Sequence, residues 1–134
     1  MKRRWFAVMG TALLLGVGVL TAAFGGAFWL DPAFAVQGAL LVVGGVAFVV
    51  AGFGGSPFGL APIRVVGIGD LCVAAMVLTN AVVTLLDGPP GTAEIVVAVT
   101  LGGSGLLLGA MGIDYLRGGV YFDADAFEDG PLIG

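Results

Sequence analysis

Four long apolar runs, separated by short turns, constrain this chain more than any other feature. Each run exceeds the roughly 20 residues that an α-helix needs to cross the hydrocarbon core of a bilayer. The segments between the runs contain proline, glycine and acidic residues, which are typical of turns and helix ends. The runs cover approximately residues 5–30, 33–54, 65–86 and 95–116.

The composition favours a membrane protein. Hydrophobic residues make up 59% of the 134 positions and charged residues 10%, whereas soluble domains have roughly 45–50% and about 25%. The connections are so short that neighbouring helices must be antiparallel. The sequence therefore predicts an all-α polytopic membrane protein, in which residues 1–117 form a compact bundle of four antiparallel transmembrane helices in two hairpins. A weak match between the hairpins leaves an internal duplication open.

The basic residues all fall at one end of such a bundle. Lys2, Arg3 and Arg4 precede the first run, Arg64 precedes the third, and Arg117 follows the fourth. The turns at the other end carry acidic residues and no basic ones. By the positive-inside rule, both termini are predicted to be cytoplasmic, and the protein is predicted to lie in the cytoplasmic membrane.

The first run also has the features of a targeting signal. Residues 2–4 are basic and include two adjacent arginines, as in a twin-arginine signal peptide. The apolar run of about 26 residues is, however, longer than the 7–15 residues of a signal core, and no small-x-small cleavage site precedes a polar segment. We expect a retained helix; cleavage would leave three spans.

Small residues recur at helical spacing in the runs and predict where the helices pack. Glycine lets two membrane helices approach closely, and a spacing of three and four residues keeps one stripe facing its neighbour. In the fourth run the predicted packing seam consists of Gly102, Gly105, Gly109 and Gly112. In the first run the corresponding series is Thr11, Gly18 and Gly25.

Residues that carry catalytic or metal chemistry are scarce. The chain has no histidine, and its one cysteine, Cys72, stands inside an apolar run. Catalytic residues, metal ligands and cofactors are therefore not predicted, and an enzyme is not expected. Five basic residues in separate segments do not predict nucleic-acid binding. The polar residues Asn80, Thr84, Thr100 and Ser104 are predicted to form hydrogen bonds within or between helices.

Asp70 is the carboxylate that stands well inside an apolar run, on the helical face shared by Gly67 and Ala74. A charged group in a membrane span is a functional-site hypothesis by default. Three interpretations remain open: an ion pair with Arg117 or with an arginine of the first helix, a proton or cation site, and a carboxylate reached by water. Asp70 and Arg117 are the candidate intramembrane polar site. Asp114 is predicted to form an interfacial salt bridge with Arg117.

The last segment, 118–134, accounts for the whole net charge of −4, because acidic and basic residues cancel over 1–117. It is predicted to be an acidic cytoplasmic tail, either solvated or used to dock a partner. Docking is favoured by the mixture of aromatic and acidic side chains. The candidate docking residues are Tyr121, Phe122, Asp123, Asp125 and Phe127.

Packing residues are abundant and chemically reactive residues are few, which favours a non-enzymatic accessory, assembly or structural subunit of the membrane. Its predicted partners are the lipid bilayer and other membrane-protein subunits or a second copy of the chain. The alternative is a small oligomeric transporter or channel that uses Asp70 for a proton or a cation.

Overall fold

The computed structural model describes residues 3–89 and 91–122. The described part is helical, and four of its helices are long and apolar enough to cross a membrane. The helices are α1 (Arg4–Phe24), α2 (Ala27–Leu30), α3 (Pro32–Gly52), α4 (Pro62–Leu86) and α5 (Thr92–Leu116), and a 3-10 turn spans Pro57–Gly59. The four predicted spans correspond to α1, α3, α4 and α5.

Proline determines where α3 and α4 begin. Pro32 and Pro62 occupy the first turn of their helices, where a missing backbone N–H leaves no hydrogen bond unmade. The Asp31 carboxylate caps α3 by accepting a hydrogen bond of 2.9 Å from the backbone N–H of Ala33. Helix α4 begins at residue 62 rather than 65, and α5 at 92 rather than 95, because a polar first turn continues each apolar run.

The first apolar run is not one continuous helix, and the prediction of a helix over 5–30 was wrong in this respect. Helix α1 ends at Phe24, and α2 begins after two glycines, Gly25 and Gly26. Gly25 adopts a φ of 62°, which residues with a side chain rarely adopt. Two successive glycines also weaken a helix by about 1 kcal/mol each relative to alanine, so the chain turns here.

Contacts of Trp29 hold α2 in place after this turn. Its indole Nε1 donates a hydrogen bond of 3.0 Å to Thr21 Oγ1 in α1. Its ring lies against Gly38 of α3, where an added methyl group would come within 2.7 Å of the ring. The ring of Phe28 packs edge-on against Trp29 and stacks with Phe34, at centroid distances of 5.3 and 5.6 Å. The short helix thus joins α1 to α3.

The long helices pack in the order in which they occur in the chain. Extensive interfaces join α1 to α3, α3 to α4, and α4 to α5. Within 3–89 and 91–122, no other pair of long helices has an interface of comparable extent. Helix α4 is the most buried, whereas α1 and α5 are the least. The extensive interfaces therefore link the four predicted spans in a row that ends in α1 and α5.

At one end of the row, the four long helices share an aromatic and aliphatic core. This end contains the first turns of α1 and α4 and the last turns of α3 and α5. Phe48 and Val66 are 1% and 0% exposed, and the rings of Phe6 and Phe48 stack with centroids 6.1 Å apart. The core consists of Phe6, Ala47, Phe48, Ala51, Val65, Val66 and Tyr115.

Glycines occupy the closest contacts between neighbouring helices. A methyl group on Gly67 of α4 would lie 2.7 Å from the carbonyl oxygen of Gly112 in α5, and one on Gly112 would lie 2.9 Å from that of Gly67. Between α1 and α3, a methyl group on Gly10 would collide with the carbonyl oxygen of Gly45. A side chain at these positions would force the helices apart.

The predicted packing seams match the structure in part. Three of the seam glycines have neighbours in α4: Gly105, Gly109 and Gly112. The fourth, Gly102, faces open space, since no atom lies within 4 Å of the position that a methyl group would occupy. In α1, Gly18 also faces open space, and the contact with α3 is made by Gly10, one residue before Thr11 of the predicted series.

Candidate functional site

Asp70 lies in the third turn of α4, about 12 Å from the start of the helix at roughly 1.5 Å per residue. Its neighbours along the helix face two different partners. Gly69 contacts the ring of Phe48 in α3, whereas Gly67 contacts α5. Asp70 is therefore directed between α3 and α5, and its side chain is 4% exposed.

The carboxylate of Asp70 has an unsatisfied oxygen in this interior position. Its Oδ2 atom is buried and has no hydrogen-bond partner. An unpaired charge in apolar surroundings costs several kcal/mol or more, so buried carboxylates are normally paired, hydrogen-bonded or neutralised. Among the described residues, Asp70 is thus the buried acidic group that has an oxygen atom without a hydrogen-bond partner.

The predicted ion pair between Asp70 and Arg117 is not formed. Among residues 3–89 and 91–122, no basic side chain pairs with Asp70. Arg117 lies near Asp114 and interacts with it electrostatically. The guanidinium group of Arg3, at the start of the first span, lies against Gly54 after the end of α3. Arg117 is therefore placed near Asp114 and Arg3 near the end of α3, where the Arg3 Nε atom is itself buried without a hydrogen-bond partner among the described residues.

Asp114 has a different role from the predicted salt bridge, although Arg117 is close to it. Its Oδ1 atom accepts hydrogen bonds from the backbone N–H groups of Val120 and Tyr121, both at 3.1 Å. Its Oδ2 atom accepts from Tyr121 at 3.1 Å and from Phe122 at 3.0 Å. Asp114, itself 4% exposed, therefore binds the turn that follows α5.

Two glycines permit this turn to fold back onto the helix end. Gly118 and Gly119 have φ values of 104° and 73°, which glycine adopts without strain. The turn places the ring of Phe122 against Tyr115, with centroids 6.4 Å apart, and against the core. An acidic residue four positions before a glycine pair was the sequence signal for this cap.

The tail residues predicted to dock a partner differ in their surroundings. Phe122 is partly buried and packs against the chain's own core. Tyr121 is 83% exposed. The remaining candidates, Asp123, Asp125 and Phe127, lie outside the described residues.

Three of the four other polar residues predicted to form hydrogen bonds do so within their own helices, whereas Ser104 is exposed and no hydrogen bond of its side chain is seen among the described residues. Asn80 Nδ2 donates a hydrogen bond of 3.2 Å to the carbonyl oxygen of Met76. The hydroxyl groups of Thr84 and Thr100 donate to carbonyl oxygens four residues earlier, each at 2.8 Å. These bonds agree with the prediction and do not connect Asn80 to Asp70.

The chemistry open to this arrangement is limited. In the part of the chain that the structure describes, no group of three or more histidine, cysteine, aspartate or glutamate residues could hold a metal ion. Asp70 can accept a hydrogen bond, a proton or a cation at Oδ2. The candidate site is therefore this single carboxyl group and the interface of α3, α4 and α5 around it.

Comparison with known proteins identifies a family. No curated protein and no solved structure matches the chain. The family model that matches covers residues 1–128, which is nearly the whole sequence. The chain belongs to the family of unknown function DUF7994.

Proposed function

We propose that this protein is a multi-pass subunit of the cytoplasmic membrane that assists or assembles with other membrane proteins and has no catalytic chemistry of its own. The four spans cross the bilayer as antiparallel helices, with both termini on the cytoplasmic side. The distribution of Arg64 and Arg117 relative to the acidic turns supports this orientation. The paired contacts of Gly67 with Gly112 and of Gly105 with Leu78 support the antiparallel arrangement.

The observation that carries the proposal is the open row of helices. Helices α1 and α5 each have one extensive interface with a long helix and leave most of their surface uncovered. Membrane helices associate through van der Waals packing at small residues. The uncovered face of α5 includes Gly102 and Gly103, with open space beside them, and Leu106, which is 68% exposed. A helix of another subunit can pack there.

Site-specific photo-crosslinking tests this proposal in native membranes. A photoreactive amino acid replaces Leu106 on the uncovered face of α5, and the control places it at Leu78, which contacts Gly105 within the chain. We expect Leu106 to give one dominant protein adduct, and Leu78 to give crosslinks within the chain. Mass spectrometry then identifies the partner residue, and the reciprocal crosslink from that residue must return to α5. Lipid adducts alone at Leu106 would contradict the proposal.

A second candidate function rests on Asp70, because its Oδ2 atom is buried without a partner. Neutralisation by a proton or a cation would remove the cost of an unpaired charge. The protein would then be a small transporter or channel in which Asp70 binds the transported ion. An ion pair with Arg117 would have argued against this function, and that ion pair is absent.

Flux measurements in reconstituted vesicles test the second candidate. Wild type and Asp70→Asn are compared for proton or cation flux, with Asp87→Asn as a control that removes an exposed carboxylate outside the helices. The candidate predicts flux in wild type and in the Asp87 variant, and loss of flux in the Asp70 variant. Equal flux across empty vesicles and across vesicles that contain any of the three proteins would refute the second candidate function.

A further inference from the structure

An apolar groove lies at the end of the molecule that contains α2, away from Asp70. It has a volume of about 490 Å³ and is lined by the last turns of α1, by helix α2, by the first half of α3 and by Met76 of α4. This volume is in the range of small-molecule sites, which are roughly 300–1,000 Å³. The groove exists because the chain turns at Gly25, which separates α1 from α2.

Three phenylalanines line the groove: Phe24, Phe28 and Phe34. Phe28 and Phe34 are held in a stacked pair by the short helix α2. Trp29 fixes α2 through its hydrogen bond to α1 and its packing contact with α3. The aromatic wall of the groove is therefore preorganised in the absence of a ligand, which lowers the entropy cost of binding.

The groove also has one charged group. Asp31 is the only charged side chain among the described residues that line it, and Gln37 adds a carboxamide. The Oδ1 atom of Asp31 caps α3, and its side chain is exposed at the groove. A carboxylate beside apolar and aromatic surface attracts a positive charge, and aromatic faces do so as well.

We propose that this groove binds a lipophilic organic cation, whose apolar body lies against the phenylalanines and whose charge lies near Asp31. A lipid acyl chain would cover the same apolar surface but would leave the carboxylate without a counter-charge. An anionic ligand would be repelled by it. The proposal does not depend on the subunit function proposed above, because that function was argued from the uncovered face of α5, which does not line the groove.

Binding of tetraphenylphosphonium to the full chain in nanodiscs of zwitterionic lipid tests the proposal. Equilibrium dialysis measures the bound probe in excess of that taken up by empty nanodiscs. We expect saturable binding by wild type and roughly fivefold weaker binding by Asp31→Asn, the effect of losing an ion pair worth about 1 kcal/mol. Asp87→Asn removes the same charge outside the groove and is expected to bind as wild type does.

A second variant separates the groove from the surface charge. Ala27→Leu fills the groove wall and keeps Asp31, and Ala27 is exposed, so a folding defect is not expected. Weaker binding by this variant supports the groove as the site. Absence of saturable binding, equal losses in the Asp31 and Asp87 variants, or unchanged binding in Ala27→Leu would each overturn the proposal.

Fluorescence of Trp29 in a Trp5→Phe background tests the competing occupant, with lipids that carry brominated acyl chains as quenchers. The proposal predicts that the probe changes Trp29 fluorescence in unbrominated lipid and relieves quenching in brominated lipid. Strong quenching by brominated lipid that the probe does not relieve would assign the groove to a lipid chain and overturn the proposal.

Discussion

Gly67 of α4 and Gly112 of α5 contact each other through their backbones, so that a methyl group on either would meet the carbonyl oxygen of the other, at 2.7 and 2.9 Å. The two helices are also in contact further along, where Gly105 of α5 lies against the side chain of Leu78 in α4. The contact between Gly67 and Gly112 lies one turn of α4 from Asp70 and therefore helps to determine the surroundings of that carboxylate.

Substitution of Gly67 tests this contact. Gly67→Ala is expected to destabilise the protein by about 1–3 kcal/mol, as for an overpacked core, because the added methyl group cannot avoid backbone atoms of α5. Gly102→Ala is the matched control, since open space surrounds that position, and alanine is the better helix former. Thermal unfolding in detergent measures both. Equal destabilisation by the two variants would contradict the packing described.

Asp70→Asn is expected to leave the stability unchanged or to raise it by about 1 kcal/mol, because it keeps a polar group of the same size and removes only a buried charge that has no partner. A buried ion pair predicts the opposite, since removal of one partner leaves an unpaired charge and costs roughly 3–5 kcal/mol. The free energy of unfolding in detergent distinguishes the two. A loss of several kcal/mol would show that Asp70 has a charged partner.

Asp114→Asn is expected to release the turn after α5. The variant replaces one acceptor oxygen by an amino group, which cannot accept a backbone N–H group. Phe122 loses its acceptor when the amino group stands at the Oδ2 position and Val120 when it stands at the Oδ1 position, whereas Tyr121 keeps one oxygen in either case. Because hydrogen bonds to charged groups contribute about 1.5–3 kcal/mol, exchange of the amide proton that loses its acceptor, that of Phe122 or of Val120, should accelerate by at least about tenfold. Hydrogen exchange followed by mass spectrometry measures this. Asp87→Asn serves as the control, and equal protection in both variants would exclude the cap.

The proposed orientation predicts which loops react with a reagent that cannot cross membranes. In a Cys72→Ser background, Ser56→Cys lies in the turn between α3 and α4, and Asp87→Cys in the turn after α4. We expect an impermeant maleimide to label Ser56→Cys in inside-out vesicles and Asp87→Cys in right-side-out vesicles. The reverse pattern would place both termini outside.

The sequence was sufficient to predict the four long helices, because the length and apolarity of a run are local properties. It did not predict the turn at Gly25, since the apolar character continues through it to Leu30 and the turn depends on Trp29 reaching Gly38. The face of α1 that packs against α3 was also not predicted. In a chain with 25 glycines, several stripes of small residues have helical spacing, and the packing of α3 selects Gly10 over Gly18.

The sequence was sufficient to predict which residue forms the candidate site, but not which groups that residue contacts. Asp70 stands out because it is a carboxylate in an apolar run. Whether Arg117 reaches it depends on how α5 ends, and Asp114 and the following turn determine that end. The cap by Asp114 joins residues six to eight positions apart, which helical periodicity does not describe.

We propose that this chain works as a subunit that assembles with other membrane helices. Native mass spectrometry of the protein released from its own membrane, at its natural level of expression, tests this most directly. We expect a discrete complex heavier than the 13.4 kDa chain, with a fixed number of copies or a defined partner. A species of 13.4 kDa that carries lipid alone would contradict it.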